Sequence, residues 1–497
     1  MSVPKSRTWL ITLLVFCLTG CMVGPDFHAP PHPRVKSYTV DPLPKKTAAT
    51  PSAGKAGRTQ TFKQAQNIPS EWWRLFHSRE LNNLIDLGLA NSPNLAAAYA
   101  ALRNAQETLY AQIGSTLLPS ASALVSGERQ RFSEATLGLE VPPRIFNLFN
   151  TTVNVSYTLD VFGGARRQIE SLKAQVDYQQ FQLIAAYLTL TSNIVTTAIA
   201  AASYEAQIQA SFNLLKSQEY TLYILRKQFQ LGGIAKPNVL TQETLVEQTR
   251  ATIPPLQKSL AQARHALAVL LGFFPNSKIP VLNLDSITLP SDIPVTLPSI
   301  LVCQRPDVRA SEALVHAASA NIGVATANLL PQISITGTYG WTALVPNHLF
   351  HPISEVWSYL PSLTQPIFNG GALLARRRAA IDQYQQAWAQ YKQTVLTAFQ
   401  NVADSLRALE TDARLLRDQR RAEISASENL NLSKQQYRLG GINYLILLTA
   451  QQQYQSTRLA VIQAKAARYS DTVALFQSLG GGWWNKRWCE KECFCDA

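Results

Sequence analysis

The chain contains Gln228-Phe229-Gln230-Leu231-Gly232-Gly233-Ile234 and, 208 positions later, Gln436-Tyr437-Arg438-Leu439-Gly440-Gly441-Ile442. Each copy closes a long stretch of helical character. A repeat of this length indicates two tandem copies of one unit of roughly 200 residues. Three more landmark pairs recur in the same order, namely Ser92-Pro93 with Arg305-Pro306, Leu118-Pro119 with Leu330-Pro331, and Leu271-Gly272 with Leu479-Gly480.

The start of the chain has the pattern of an export signal. Lys5 and Arg7 precede a short apolar run that ends in Leu18-Thr19-Gly20-Cys21. The run is too short to cross a bilayer core of about 30 Å. We therefore predict a lipoprotein signal peptide over residues 1–20, with an N-acyl diacylglycerol lipid at Cys21; an ordinary signal peptide with an incidental cysteine is the alternative. By resemblance to bacterial lipoproteins, Met22 favours sorting to the outer membrane.

The composition argues against several classes of function. The formal net charge is +13, but the basic residues are spread among acidic residues and glutamines, and an exported chain does not meet the nucleoid. We expect no nucleic-acid partner. The sequence contains no zinc-protease, phosphate-loop or dinucleotide motif, so we expect no enzymatic activity, no cofactor and no metal.

Histidines and cysteines offer only weak alternatives. His348 and His351 lie in a proline-bounded segment that we interpret as an outer loop rather than a metal site. The tail residues Cys489, Cys493 and Cys495 could bind a soft metal or form a disulfide, but we expect them to be peripheral. No other cysteine besides Cys303 lies between the signal region and this tail, so we expect no disulfide framework in the body.

Proline content and periodicity divide the mature chain. Residues 21–70 contain many prolines and no period, which predicts an extended N-terminal arm. Residues 273–304 are also proline-rich and predict an extended connector. The remaining divisions are repeat 1 at 71–272, repeat 2 at 305–480, and a tail with tryptophan and cysteine at 481–497.

Short strands alternate with helices inside each copy. Residues 151–161 and 332–343 alternate apolar and small polar side chains, over a length that suits a strand crossing an outer membrane around a wet lumen. We predict partner strands at 120–130 and 356–367. A soluble hairpin packed on a core is the alternative.

Four strands per chain cannot close a barrel. Unpaired backbone groups in lipid cost several kcal/mol each, so other copies of the chain must close the edges. Two chains would give eight strands and a barrel filled by side chains, whereas three would give twelve and leave a passage. The strand count therefore favours a trimer.

The helices are unusually long. No proline or glycine interrupts residues 165–231 or 372–439, which predicts helices of roughly 100 Å at about 1.5 Å per residue. The uncharged run at 183–203 could pass for a transmembrane helix. Its counterpart at 391–411 carries four charged residues, so we interpret the run as a helix-packing face. Each long helix should reverse at its Gly-Gly pair, with the following helices beginning near Pro237 and Tyr444.

Taken together, these motifs resemble the TolC family of outer-membrane efflux ducts, in particular its NodT-like lipoprotein branch. The resemblance covers essentially residues 18–484. The matching stretches are Cys21-Met22-Val23-Gly24-Pro25-Asp26-Phe27, Trp72-Trp73-Arg74-Leu75-Phe76, Leu159-Asp160-Val161-Phe162-Gly163, residues 245–272, Gln365-Pro366-Ile367-Phe368-Asn369-Gly370-Gly371 and residues 437–451.

The resemblance implies a fold of mixed α and membrane β structure: a homotrimer with a 12-stranded β-barrel in the outer membrane and a 12-helix periplasmic α-barrel. It also implies a periplasmic adaptor, an inner-membrane pump, usually of the resistance-nodulation-division type, and export of drugs or toxic organic compounds. An exit duct for an ABC-driven type I system and a structural helical surface lipoprotein are the alternatives. Carried over by position, the adaptor-docking tips would be Leu231, Gly232, Gly233, Ile234, Leu439, Gly440, Gly441 and Ile442.

One stretch departs from the family pattern. Relatives commonly carry an aspartate in a Leu-Asp-Ala-Gln stretch after the second tip, where this chain has Leu448-Thr449-Ala450-Gln451. The first copy has Thr241 at the matching place. We therefore hypothesise a periplasmic constriction lined by Thr241, Ile446 and Thr449 rather than by a ring of acids.

Overall fold

The computed structural model describes residues 22–31, 33–64, 66–133 and 142–485. The signal peptide, Cys21 and the tail cysteines lie outside these ranges. The described helices and strands, in chain order, are β1 (Thr61–Gln64), α1 (Arg79–Asn91), α2 (Pro93–Leu117), β2 (Ser120–Phe132), β3 (Arg144–Leu159), α3 (Gly164–Gln230), α4 (Lys236–Leu270), β4 (Asp292–Val295), α5 (Pro298–Gln304), α6 (Pro306–Ala327), β5 (Gln332–Ala343), β6 (Glu355–Thr364), α7 (Ala372–Arg438) and α8 (Tyr444–Ser478).

The two long helices are present as predicted. Helices α3 and α7 each contain 67 residues, and both end within one residue of the predicted position. Among the described helices, α3 alone is long and apolar enough to cross a membrane. Its uncharged run is nevertheless a packing face, because Ile184, Ile194 and Val195 are all fully buried within the protein.

The described chain divides into two compact units, of which the first comprises residues 22–30, 100–133, 142–180 and 310–392. It contains an antiparallel four-stranded sheet in the order β2-β3-β5-β6. All four predicted strands are therefore confirmed; β5 has its predicted ends, and the ends of the other three differ. Strand β3 stops at Leu159 rather than Val161 because the Asp160 carboxylate accepts hydrogen bonds from the backbone of Ala165 and Arg166 at 3.0 and 2.9 Å, which caps α3.

The last strand also ends earlier than predicted. Strand β6 stops at Thr364, and Ile367 lies beyond it with its side chain exposed. Pro366 interrupts pairing because proline has no backbone N–H to donate. Pro361 is tolerated within β6 because this strand is at the edge of the sheet.

The second unit comprises residues 31–99, 181–309 and 393–485 of the described chain. Its arm and connector are more ordered than the sequence predicted. Strand β1 of the arm pairs in parallel with β4 of the connector, from Thr61 with Asp292 to Gln64 with Val295. The connector also contains α5, with Pro298 at its first turn. The prediction of an extended connector was wrong for residues 298–304, which form α5, because a proline at the first turn of a helix is compatible with helix formation.

A buried arginine holds the arm to α8. The Arg468 guanidinium is fully buried and donates to the carbonyl oxygens of Ala56 at 2.8 Å and Arg58 at 3.2 Å, and to Gln60 Oε1 at 3.1 Å. Burial lowers the pKa of Arg468 to about 10. The predicted aromatic anchor packs against the same helix, α8. There Trp72 stacks on Phe476 with the ring centroids 5.5 Å apart.

One cysteine of the described body takes part in a disulfide. Cys303, in α5, is disulfide-bonded, while every other cysteine of the sequence lies outside the described ranges. No disulfide therefore joins two described residues.

Candidate functional site

The four-stranded sheet has two chemically different faces. Along one face, Val153 lies opposite Tyr339, which in turn lies opposite Trp357. The other face is polar and hydrogen-bonded across the strands. Its bonds run from Thr338 Oγ1 to Asn154 Oδ1 at 2.8 Å, from Thr342 Oγ1 to Asn150 Oδ1 at 2.9 Å, and between the hydroxyls of Ser334 and Ser362 at 2.8 Å.

The apolar face of the sheet is exposed to solvent in the single chain. The side chains of Trp357 and Tyr359 are 73% and 64% exposed. Strands β3 and β5 pair continuously from Phe149 to Leu159, a length of roughly 36 Å at about 3.3 Å per residue. With a tilt of about 40°, that length would cover the apolar band of about 25 Å that outer-membrane barrels present to lipid. The sheet is therefore long enough to cross the apolar band, and one of its two faces is apolar.

Both long helices end in the same hydrogen-bonded turn. The backbone N–H of Gly233 donates to the carbonyl of Gln228 at 2.8 Å, and that of Gly232 donates to Phe229 at 3.0 Å. Gly440 and Gly441 repeat the two bonds at 3.1 and 2.8 Å. This is the Schellman arrangement, which requires positive φ at its first glycine. The φ angles of Gly232 and Gly440 are 75° and 77°.

The tips present leucines to solvent. Leu231 and Leu439 are 86% and 87% exposed, and all four glycines of the tips are exposed as well. The two isoleucines of the tips are less exposed than the leucines. Ile234 packs partly buried against the apolar cluster of the hairpins, and Ile442 is half-buried.

That apolar cluster supports the tips from behind. It joins α3, α4, α7 and α8 through residues that include Leu225, Val246 and Leu447. Tyr444 donates its hydroxyl to Gln242 Oε1, and Gln242 Nε2 donates to the carbonyl of Gln218 at 2.8 Å. Burial raises the pKa of Tyr444, which keeps the phenol protonated. The tips are thus supported by packed apolar side chains and by hydrogen bonds between the helices.

The constriction candidates are all solvent-exposed in the single chain. Thr241 donates its hydroxyl to the carbonyl of Pro237 at 2.8 Å, and Thr449 donates to Leu445 at 3.0 Å. Each hydroxyl is therefore bonded within its own helix. Ile446 exposes about half of its surface one turn before Thr449. Any ring built from these residues would be largely apolar.

A buried ion cluster in the second hairpin escaped the sequence analysis. The Glu423 carboxylate is 3% exposed and accepts hydrogen bonds from Arg420 and, at 2.7 Å, from Arg458. Leu215, the residue 208 positions before Glu423, is buried in the first copy. A residue-by-residue comparison of the two copies would have revealed this change from leucine to glutamate.

The histidine pair shows no metal site. His348 and His351 lie between β5 and β6 with their rings 5.3 Å apart. Among the described residues, no group of three or more histidine, cysteine and acidic side chains could hold a metal ion. The tail cysteines and the lipid site at Cys21 stay predictions because they lie outside the described ranges.

A family model described as outer membrane efflux protein matches residues 84–273 and 297–481, one match for each copy of the repeat. The chain belongs to this family. It is an outer-membrane channel component of an efflux system, and the family is one of transport ducts rather than of enzymes.

Individual relatives match over nearly the whole chain. The antibiotic efflux pump outer membrane protein ArpC of Pseudomonas putida is 31% identical over 483 residues, or 96% of each chain. Nodulation protein T of Rhizobium leguminosarum bv. viciae is 32% identical over 479 residues, or 95% of this chain and 92% of that protein. The solved structure of the outer-membrane channel OprN superposes with a TM-score of 0.83 at 27% identity, covering 93% of this chain and all of that one.

Proposed function

We propose that three copies of the chain close a 12-stranded β-barrel and a 12-helix α-barrel, which together form an exit duct through the outer membrane. The observation that carries this proposal is the open sheet. Its strands β2 and β6 are both edges within the described chain, and its apolar face is bare. Since open edges are not tolerated in lipid, the edges of neighbouring copies must pair, and three copies of four strands make twelve.

The duct acts with two partners. A periplasmic adaptor docks on the six tips of the trimer, and an inner-membrane pump of the resistance-nodulation-division type drives export. The exposed leucines on rigid Gly-Gly turns support this docking, because apolar side chains on a supported base are suitable anchors for a partner helix. Relatives named as efflux pump outer membrane proteins support the assignment of an efflux pump over a type I secretion system.

The substrates are drugs or toxic organic compounds. ArpC is named for antibiotic efflux and TtgC of Pseudomonas putida for toluene efflux, and both are 31% identical to this chain. The duct itself is passive, without catalytic residues, resident cofactor or metal. A lipid on Cys21 anchors it in the outer membrane, and Thr241, Ile446 and Thr449 line its periplasmic constriction.

Site-specific crosslinking tests the docking. Leu231→Cys and Leu439→Cys should each crosslink a periplasmic adaptor in intact cells, using a tagged chain for capture. Leu415→Cys on α7 is the matched control, because Leu415 is also an exposed helical leucine but lies far along the helix from the tip. Equal crosslinking at Leu415 and at the tips would contradict docking at the tips, and loss of all adaptor capture would contradict the three-part assembly.

A further inference from the structure

One arginine at the start of α3 is buried far along that helix from the tip, and the site described above does not include it. The Arg167 side chain is 1% exposed and contacts the first residues of the mature chain. Its Nε donates to the carbonyl of Val23 at 3.1 Å, and its Nη2 donates to the carbonyl of Gly24 at 3.3 Å and to Asp26 Oδ1 at 2.6 Å. Three groups of the N-terminal segment, two backbone carbonyls and one carboxylate, thus accept hydrogen bonds from one guanidinium.

Two neighbours complete this contact. Arg167 Nη1 donates to Glu170 Oε2 at 2.7 Å, and the other oxygen of Glu170 lies 2.9 Å from His316 Nε2. The imidazole of His316 stacks on the ring of Phe27 at 4.3 Å, with the two planes 11° apart. The carboxylate therefore orients both the guanidinium and the imidazole that hold the N-terminal segment. We call Arg167, Glu170 and His316 the N-terminal socket.

Glycines make room for the segment. A Cβ atom on Gly323 in α6 would lie 2.7 Å from Arg167 Cγ and 2.9 Å from the carbonyl oxygen of Val23. A Cβ on Gly24 would lie 2.4 Å from Gly323 Cα, and one on Gly163 would lie 2.7 Å from Met22 Cγ. Contacts below 3.0 Å force a rearrangement. Close backbone approach is therefore built into both the segment and its receiving surface.

The socket holds the N-terminal segment, residues 22–27, near the C-terminal end of strand β3. The backbone N–H of Val23 donates to the carbonyl of Phe162 at 3.1 Å, three residues after β3 ends at Leu159. Cys21 precedes Val23 by two residues, which is at most about 7 Å along the chain. A lipid on that cysteine would therefore be attached within about 7 Å, along the chain, of the residue that bonds to Phe162.

We propose that the N-terminal socket binds the segment Met22–Phe27 and so places the lipid-bearing end of the chain near the C-terminal end of β3. This placement couples lipid anchoring to membrane insertion of the sheet. The proposal deepens the proposed function and rests on it for the lipid at Cys21. The capture itself depends only on protein contacts.

A fragment-retention experiment tests the capture without the lipid. The chain would carry Cys21→Ser behind an ordinary secretory signal, with a protease recognition sequence inserted between the exposed residues Val35 and Lys36. After cleavage, the fragment of residues 21–35 should co-purify with the body of the protein. Gly323→Ala should lower retention at least about tenfold, because the added methyl occupies the place of Arg167 and Val23.

Gly114→Ala is the matched control, since Gly114 is also helical but has nothing within 4 Å of an added Cβ, and it should retain the fragment. Asp26→Ala removes one partner of Arg167 from an exposed position, leaves the pair of Arg167 with Glu170 in place, and should lower retention by a smaller factor. Full retention in both Gly323→Ala and Asp26→Ala would overturn the socket.

The lipidated full-length chain tests the coupling. Labelled palmitate should be incorporated equally into the unmodified chain and Gly323→Ala, while the heat-modifiable, membrane-inserted fraction should fall in Gly323→Ala only. Unchanged insertion despite a released fragment would overturn the coupling. Absence of palmitate from the unmodified chain would instead refute the lipid at Cys21, and would leave the fragment result standing.

Discussion

Arg458 Nη1 donates to the buried carboxylate of Glu423 at 2.7 Å and so ties α8 to α7 inside the second hairpin. In the first hairpin, Leu215 stands where the second copy has Glu423. Arg250, 208 positions before Arg458, instead ties α4 to α3 through the half-exposed Glu219 at 2.7 Å. The two hairpins therefore share an arginine tie between their helices but differ in the position and burial of the carboxylate that accepts it.

Removal of this carboxylate should destabilise the second hairpin. Glu423→Ala leaves Arg420 and Arg458 unpaired, and loss of one partner of a buried ion pair costs about 3–5 kcal/mol. We expect about 3 kcal/mol, the lower end, because both arginines reach solvent. Urea unfolding measures the change. Glu428→Ala, at an exposed position of the same helix, should change stability by less than about 0.5 kcal/mol, and equal effects of the two would contradict the role of the ion pair.

The two glycines of each tip should respond differently to alanine. Gly232→Ala forces a side chain into positive φ at a cost of about 1–2 kcal/mol, whereas Gly233 has no positive φ and only an ordinary contact at 3.4 Å. Hydrogen exchange at the tip amides should accelerate at least about fivefold in Gly232→Ala. Gly233→Ala should leave the exchange rates nearly unchanged, and the reverse order would contradict the Schellman assignment.

Arginine substitutions at two neighbouring positions of β3 should show which face of the sheet meets lipid. Val153→Arg places a charge on the apolar face, where a cation near the membrane midplane costs about 2–4 kcal/mol. Thr152→Arg places the same charge on the polar face and should be tolerated. The measurement is the fraction of protein that reaches the heat-modifiable, inserted form. Equal insertion of the two variants would show that the apolar face does not meet lipid.

The free energy of unfolding should fall as the pH rises towards neutrality. The cause is a pair of carboxyl groups, Asp412 of α7 and Asp471 of α8. Burial, together with a hydrogen bond to Asp412 and repulsion by it, raises the pKa of Asp471 to about 7 from an ordinary 3.8. The folded chain therefore binds this proton more tightly than the unfolded chain, and the stabilisation is complete below about pH 4 and lost as the pH rises through 7.

Asp471→Asn removes that titration. We expect a melting temperature at pH 8 that is higher by a few degrees, on the order of 2–4 °C, and a flatter dependence between pH 5 and pH 8. Asp418→Asn is the control, because Asp418 is exposed and paired with Arg417 on the surface. A stability profile for Asp471→Asn that matches that of the unmodified chain would contradict the raised pKa of Asp471.

The constriction can be tested by single-channel conductance. Thr449→Ala and Ile446→Ala shorten the side chains proposed to line it and should raise the closed-state current. Thr244→Ala is the control, because its hydroxyl also donates within its own helix, to Leu240 at 2.9 Å, and it lies one turn from Thr241. Unchanged current in both Thr449→Ala and Ile446→Ala would place the constriction elsewhere.

Local patterns account for what the sequence predicted well. The helices α3 and α7 follow from uninterrupted helix-compatible stretches, and the tips follow from glycine pairs that can adopt positive φ. Strand β5 was predicted with its observed ends, because its alternation is complete from Gln332 to Ala343. The ends of β3 and β6 were missed, since a cap by Asp160 and the missing N–H of Pro366 decided them.

The sequence by itself determined the duplication, the element types and the family, because repeats, periodicity and glycine turns are written in neighbouring residues. Only the tertiary structure decided the pairing of β1 with β4, the burial of Glu423 and the socket around Arg167. Those features join residues that are 35 to more than 200 positions apart, and no local pattern marks them. Their stability comes from desolvated hydrogen bonds and close backbone approach, which exist only once the chain has folded.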